Sequence, residues 1–225
     1  MKENGMKWNI RVFRVLSVSS RRALSRAAAV APLVLLTACA GLRPAEPETA
    51  STYLLDTVPK GSNTAAKADG PTLIVSSPRA MPGYDGVQMA YTREPHKLEY
   101  FARNQWADTP ARMLAPLLVR ALEHRGAFRA VTGASPVRGE LRLDTELIRL
   151  HQDFTARPSR VRLTVRAQLV DTARKRVVAS RMFDAAETAP ADTPYGGVVA
   201  ANRALARVLD QIAEFAAASA AIAKN

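Results

Sequence analysis

One cysteine, Cys39, stands among 225 residues. A single thiol closes no internal disulfide and cannot build a multi-thiolate zinc site. Histidine is nearly as scarce: His96, His124 and His151 fall in no spacing that pairs with a catalytic thiol or suggests a metal. Several signatures of chemistry are missing too. The stretch GSNTAAKADG (61–70) lacks the Gly-Lys pair of a phosphate loop, and neither a GxSxG elbow nor an HExxH zinc helix occurs. These absences argue against an ATPase engine, a serine lipase and a zinc hydrolase, so no catalytic residue is expected. No internal repeat is visible. A membrane-spanning helix needs roughly 20 apolar residues. The uncharged run 27–38 is shorter and contains Pro32.

The surroundings of the lone cysteine explain it better than burial does. Before it stand Lys2, Lys7, Arg11, Arg14, Arg21, Arg22 and Arg26 against one acid, Glu3, followed by the uncharged run and small residues. Basic, then apolar, then small is the order of a secretory signal peptide. The basic region is long, which leaves the start at Met1 or Met6 open. Leu36-Thr37-Ala38-Cys39 resembles a bacterial lipobox. That resemblance implies diacylglycerol on the Cys39 thiol, cleavage after Ala38 and acylation of the new amino terminus. Buried methylenes contribute about 0.8 kcal/mol each, so several long chains anchor almost irreversibly. Ala40 occupies the position where lipoproteins retained in the inner membrane often carry Asp. By the same resemblance, the destination is the outer membrane, facing the periplasm.

Charge changes meaning once the signal is set aside. The chain carries 32 basic and 20 acidic residues, and residues 1–38 hold seven and one of them. The remainder has 25 against 19, a net +6 instead of +12. An exported location removes the usual nucleic-acid partners, and moderate basicity suits a solvated surface near anionic headgroups. The segment 40–51, AGLRPAEPETAS, reads as an extended linker. The expected organisation is therefore a signal peptide (1–38), a lipidated cysteine with linker (39–51) and one folded domain (52–225).

Within that domain, strands are expected at 52–56, 72–78, 87–92, 97–102 and 128–132, the last parallel to 72–78. NQWADTP (104–110) leads into a helix with Asp108 or Thr109 at its cap and Pro110 in its first turn. Met113, Leu114, Leu117, Leu118, Ala121 and Leu122 line one side of it, Pro116 interrupts its interior, and Gly126 ends it. Leu141, Leu143, Thr145 and Leu147 alternate with charge, then the apolar phase shifts to Ile148 and Leu150, which predicts a bulge near 147–148. Val161, Leu163, Val165, Ala167 and Leu169 continue the alternation after a turn. With that turn centred near 155, Leu147 faces Leu163 and Asp144 faces Arg166. The arginines between them read mainly as cross-strand partners of Asp144 and Glu146, with a binding patch as the alternative. A strand at 177–186 and a one-sided helix at 195–222 complete the chain. The expected architecture is α+β: a mixed, mostly antiparallel sheet with two helices on one face.

YLL (53–55), PGYDGVQMAY (82–91) and LEYFARNQWADTPARMLAPLLVRAL (98–122) resemble the ABC-type transport auxiliary lipoprotein family. The resemblance extends over most of the chain after the linker, and NQWADTP is its most specific piece. It implies an outer-membrane lipoprotein serving an ABC ATPase, a permease and a mammalian-cell-entry (MCE) domain protein. Together these move phospholipid or other apolar molecules between inner and outer membranes. No cofactor is implied beyond the lipid on Cys39, and homo-oligomerisation is left open. Two other readings stay open: a scaffold for outer-membrane or cell-wall assembly, and a lipid hydrolase. Tyr84, Tyr91 and Trp106 are the candidates for partner or lipid contact. Core or lid packing is the alternative for each. Trp106 leads because it precedes a helix start, where a chain surfaces.

Overall fold

The structure is a computed structural model that describes residues 50–57, 64–133 and 138–223. Leu36, Thr37, Ala38, Cys39 and Ala40, like the signal peptide and most of the linker, lie outside the described residues.

The order of elements is β1 (Ser51–Tyr53), β2 (Thr72–Val75), β3 (Arg79–Ala80), β4 (Gln88–Thr92), β5 (Glu99–Trp106), α1 (Pro110–Arg125), β6 (Ala130–Thr132), β7 (Leu141–Asp153), β8 (Arg160–Asp171), β9 (Arg176–Thr188) and α2 (Pro194–Ala223). Among the described residues the nine strands form one sheet around β7. Antiparallel β8 pairs with one edge of β7 throughout, and β9 follows outside β8. Along the other edge lie β2, β3 and β4, end to end and all parallel to β7. Pro78 and Pro82 fall in the two breaks of that row, where a residue without an N–H cannot continue a ladder. Parallel β6 flanks β2, while β5 and then β1 flank β4. The two long pairings are antiparallel and five short ones are parallel. The α+β class, the mixed sheet and the parallel β2–β6 pair agree with the sequence.

Both helices cover one face. Leu147, Leu150, Leu163 and Val165 of the sheet meet Pro110 and Leu114 of α1 and Ala201 and Leu205 of α2. Helix α1 starts at Pro110, continues through Pro116, and stops at Gly126, whose φ of 67° suits a residue without a Cβ. A Cβ there would lie 2.6 Å from the carbonyl oxygens of Thr64 and Ala65. Helix α2 buries mostly small residues, among them Gly196, Gly197, Ala200, Ala201 and Ala204, which lets its axis lie close to the strands. Ile222, expected on its apolar side, is 69% exposed.

Three expectations need correction. The β7–β8 register is displaced by two residues: Leu147 faces Val165, Asp144 faces Gln168, and Arg166 faces Glu146. The last pair is Asp153 with Arg160, which centres the turn beyond 155. A displacement of two preserves every residue's face, so the alternation alone could not choose between the registers. The bulge itself lies between Leu147 and Arg149 as expected. Next, β5 extends through Asn104, Gln105 and Trp106, which read as a loop from sequence. Finally, the chain leaves the sheet after Tyr53 instead of after residue 56.

Candidate functional site

The face of the sheet turned away from the helices is polar, and the bulge decides what it carries. Before the bulge, Arg142, Asp144 and Glu146 alternate with buried leucines. Beyond it Leu150 is buried, so Arg149, His151 and Asp153 occupy the other face with Arg160, Arg162, Thr164 and Arg166 beside them. Ion pairs link Arg142 with Asp144, Arg166 with Glu146, and both Arg160 and Arg162 with Asp153. Glu146 thus has the cross-strand arginine expected for it, whereas Asp144 pairs along its own strand and accepts a hydrogen bond from Ser76.

At the Asp153 end of this face the surface folds into a cleft of about 400 Å³. Arg149, His151, Asp153 and Arg162 line it from the two long strands. Tyr84 stands on one side, with Pro95, His96, Lys97 and Leu98 from the β4–β5 turn on another. His96 adopts the left-handed region, φ 66°. The Tyr84 hydroxyl lies 3.1 Å from His151 Nδ1, and the two rings stack with centroids 6.1 Å apart.

Burial, reinforced by the Arg149 and Arg162 charges against the opposing Asp153, lowers the His151 imidazole to about 4. It is therefore neutral at pH 7. Burial also raises the Tyr84 hydroxyl above its ordinary value. Asp153 behaves oppositely. Burial pushes its carboxyl up, but the Thr155 hydroxyl and amide, Arg162 and Arg160 all donate to it and hold it well below the usual range. Its side chain is 4% exposed and its oxygens are fully engaged. Arg149 donates to Thr164 Oγ1 at 3.0 Å and lies 3.5 Å from Asp184. A spent carboxylate and a neutral histidine already held by Tyr84 make a poor acid–base pair. They make a rigid polar surface instead, with exposed cationic edges suited to recognition. No group of metal-ligating side chains occurs among the described residues.

The three aromatic candidates take different places. Trp106 is 4% exposed and belongs to the core. Its backbone N–H donates to Val87 O at 2.8 Å, because β5 is still paired where the sequence suggested a surfacing loop. It presents almost no surface to a partner. Tyr91 is half-buried against Phe101 and Phe154, at 4.5 and 5.9 Å between centroids, with the Arg93 guanidinium 5.3 Å above its ring. Only Tyr84 lines the cleft. Sequence reasoning passed over Arg149 and Asp153, set His151 aside for want of a partner, and read Arg162 mainly as a cross-strand partner of acids. The phase shift at 147–150 was the available signal, since it places those β7 residues on the open face.

A profile of the family described as the ABC-type transport auxiliary lipoprotein component matches residues 53–213. The chain is also similar to a solved protein of Xanthomonas campestris, at 24% identity over 78% of this chain and 99% of that one, with a TM-score of 0.71. A second solved structure, of an uncharacterized protein, is 18% identical over 75% of this chain and 99% of its own, with a TM-score of 0.61. Both likenesses speak to the fold. No curated protein matches the chain.

Proposed function

The chain belongs to the family of ABC-type transport auxiliary lipoprotein components, and from that membership we propose that it is the lipid-anchored adaptor of an ABC/MCE-type transport system. It is held in the outer membrane through Cys39, faces the periplasm, and helps move phospholipid or other apolar molecules between the two membranes. The energy belongs to an ATPase and permease, and the cargo passes along an MCE-domain partner. The chain itself catalyses nothing.

The observation that carries the adaptor reading is the closed core. Two small cavities between sheet and helices hold about 10 Å³ each. A cavity of that size has room for about one water molecule, far short of an acyl chain. Storage of lipid inside the domain would require separating α1 and α2 from the sheet, against the apolar burial that stabilises the fold. The polar face with its cleft is left for protein contact. An adaptor requires the anchor and the folded domain on one molecule, with linker enough between them.

The test removes residues 41–49, which the sequence reads as linker, and compares that strain with one carrying Cys39→Ser. Labelled fatty acid should enter the linker deletion and not the serine variant. Both strains should become detergent-sensitive, and the MCE-domain protein should co-purify less with the shortened chain. Unchanged detergent resistance together with undiminished co-purification would defeat the adaptor reading.

A further inference from the structure

Where the described chain begins, the surface departs from the polar character of the open sheet face. Leu54 is 59% exposed and Tyr195 is 64% exposed. The ring of Tyr53 lies 6.2 Å from that of Tyr195, which brings the end of β1 against the first turn of α2. A single exposed leucine would be ordinary. Here the rings of Tyr53 and Tyr195 meet across two distant segments, Leu54 follows Tyr53 directly in the chain, and the backbone that presents Leu54 is fixed. Asn202, two helical turns beyond Tyr195, donates to Leu54 O at 3.1 Å and accepts from Asp56 N at 2.7 Å. Leu55, between those two bonds, is buried at 8%. The clamp therefore drives Leu55 inward and leaves Leu54 turned to solvent, where an unconstrained chain would be free to cover it.

We propose that Tyr53, Leu54 and Tyr195 form a membrane-contact surface that seats the domain on the bilayer holding its own lipid anchor. The proposal rests on the lipidation of Cys39. Eleven residues, 40–50, separate Cys39 from the first residue of β1. They span roughly 34 Å when extended at ~3.1 Å per residue, and about 18 Å as a flexible coil. Either length keeps the patch within reach of the bilayer surface. A tether of this length gives an effective concentration in the millimolar range, so a preference too weak to bind a free protein suffices for a tethered one. The chemistry of the patch fits that place. Tyrosine favours the boundary between headgroups and acyl chains, ring toward the chains and hydroxyl toward water, and leucine favours the apolar side of it. Seating the patch would also orient the domain, because β1 and the start of α2 would face the bilayer instead of tumbling at the end of the linker.

The experiment uses the full lipidated chain with Leu54→Trp, reconstituted in phosphatidylethanolamine–phosphatidylglycerol vesicles with or without dibrominated acyl chains. Trp106, 4% exposed in the core, serves as the unquenched reference. The emission contributed by the new indole should fall about twofold with brominated lipid, as expected for a side chain at the headgroup–chain boundary. Adding Asn202→Ala should weaken that quenching while the protein still floats with the vesicles. Full flotation with emission indifferent to bromine would overturn the contact surface and leave the anchor standing. Emission that varies with the protein-to-lipid ratio but not with bromine would mean that a second copy covers the patch, and would overturn it as well. A chain that carries no acyl mass and does not float would remove the anchor reading, and this inference with it.

Discussion

Replacing Asp153 with Asn probes the most heavily bonded charge on the open face. The wild-type carboxylate accepts from Thr155 N at 3.0 Å, Thr155 Oγ1 at 2.5 Å, Arg162 Nε at 2.7 Å and Arg160 Nε at 3.4 Å. Asparagine keeps one acceptor for Thr155 but turns an N–H toward the two guanidiniums. Breaking a buried pair costs about 3–5 kcal/mol. Here the arginine side chains are 40% and 36% exposed, so water takes up part of the loss, and about 2–3 kcal/mol at pH 6 is expected. The pH dependence supplies a second, independent reading. The native carboxyl sits below its usual range, so its contribution is present above the unfolded value near 3.9 and fades as pH falls toward the folded one. At pH 3 roughly nine in ten unfolded-state aspartates are protonated while the native group remains ionised, which removes about 1 kcal/mol of the wild-type advantage. Urea unfolding of residues 50–225 at pH 6 and pH 3 measures both quantities. A gap under about 0.5 kcal/mol at pH 6, or one that does not narrow at pH 3, would refute the account of this cluster.

Two further outcomes follow from the same geometry. His151 is lowered to about 4 against an unfolded value near 6.5, so the unfolded chain binds more protons across that window and stability falls as pH drops. After allowance for solvent reaching the ring, wild type should lose about 1 kcal/mol between pH 7 and pH 5, and His151→Gln should lose much less; equal slopes in paired urea titrations would contradict this. Gly126→Ala combines a left-handed residue with a Cβ 2.6 Å from two carbonyl oxygens. It should cost about 2–4 kcal/mol and increase hydrogen exchange at the amides of Thr64 and Lys67, which bond to His124 O and Gly126 O. A neutral effect on the unfolding midpoint would mean that the 64–67 segment yields freely.

The cleft shows how a local irregularity in one strand shapes a surface built from distant segments. Were the strand regular through Ile148, with no bulge between Leu147 and Arg149, then Arg149, His151 and Asp153 would fall on the side covered by the helices, and Leu150 would face water. With the bulge, the strand keeps its leucines inside on both sides of it. The polar residues then meet Tyr84 from a turn more than sixty positions earlier in the chain.

What the sequence determined by itself is whatever depends on near neighbours. The two-residue alternation in β7 and β8, the bulge that breaks it, the apolar stripe of α1 with its stop at Gly126, and the one-sided pattern of α2 are relations between residues a few positions apart. The family resemblance was legible too, because it rests on contiguous stretches such as NQWADTP. Tertiary structure decided what depends on separations that periodicity does not encode. A strand shifted by two residues satisfies the same alternation, so only the closing turn and the Asp153 cluster chose which arginine faces which acid. Trp106 looks like a surfacing residue until the partners of β5 are known. β1 and Val87 keep its backbone paired and draw its ring into the core. Tyr53 and Tyr195 are 142 positions apart in sequence. They meet because Asn202 ties the end of β1 to α2, and a hydrogen bond that spans most of a domain leaves no trace in local composition.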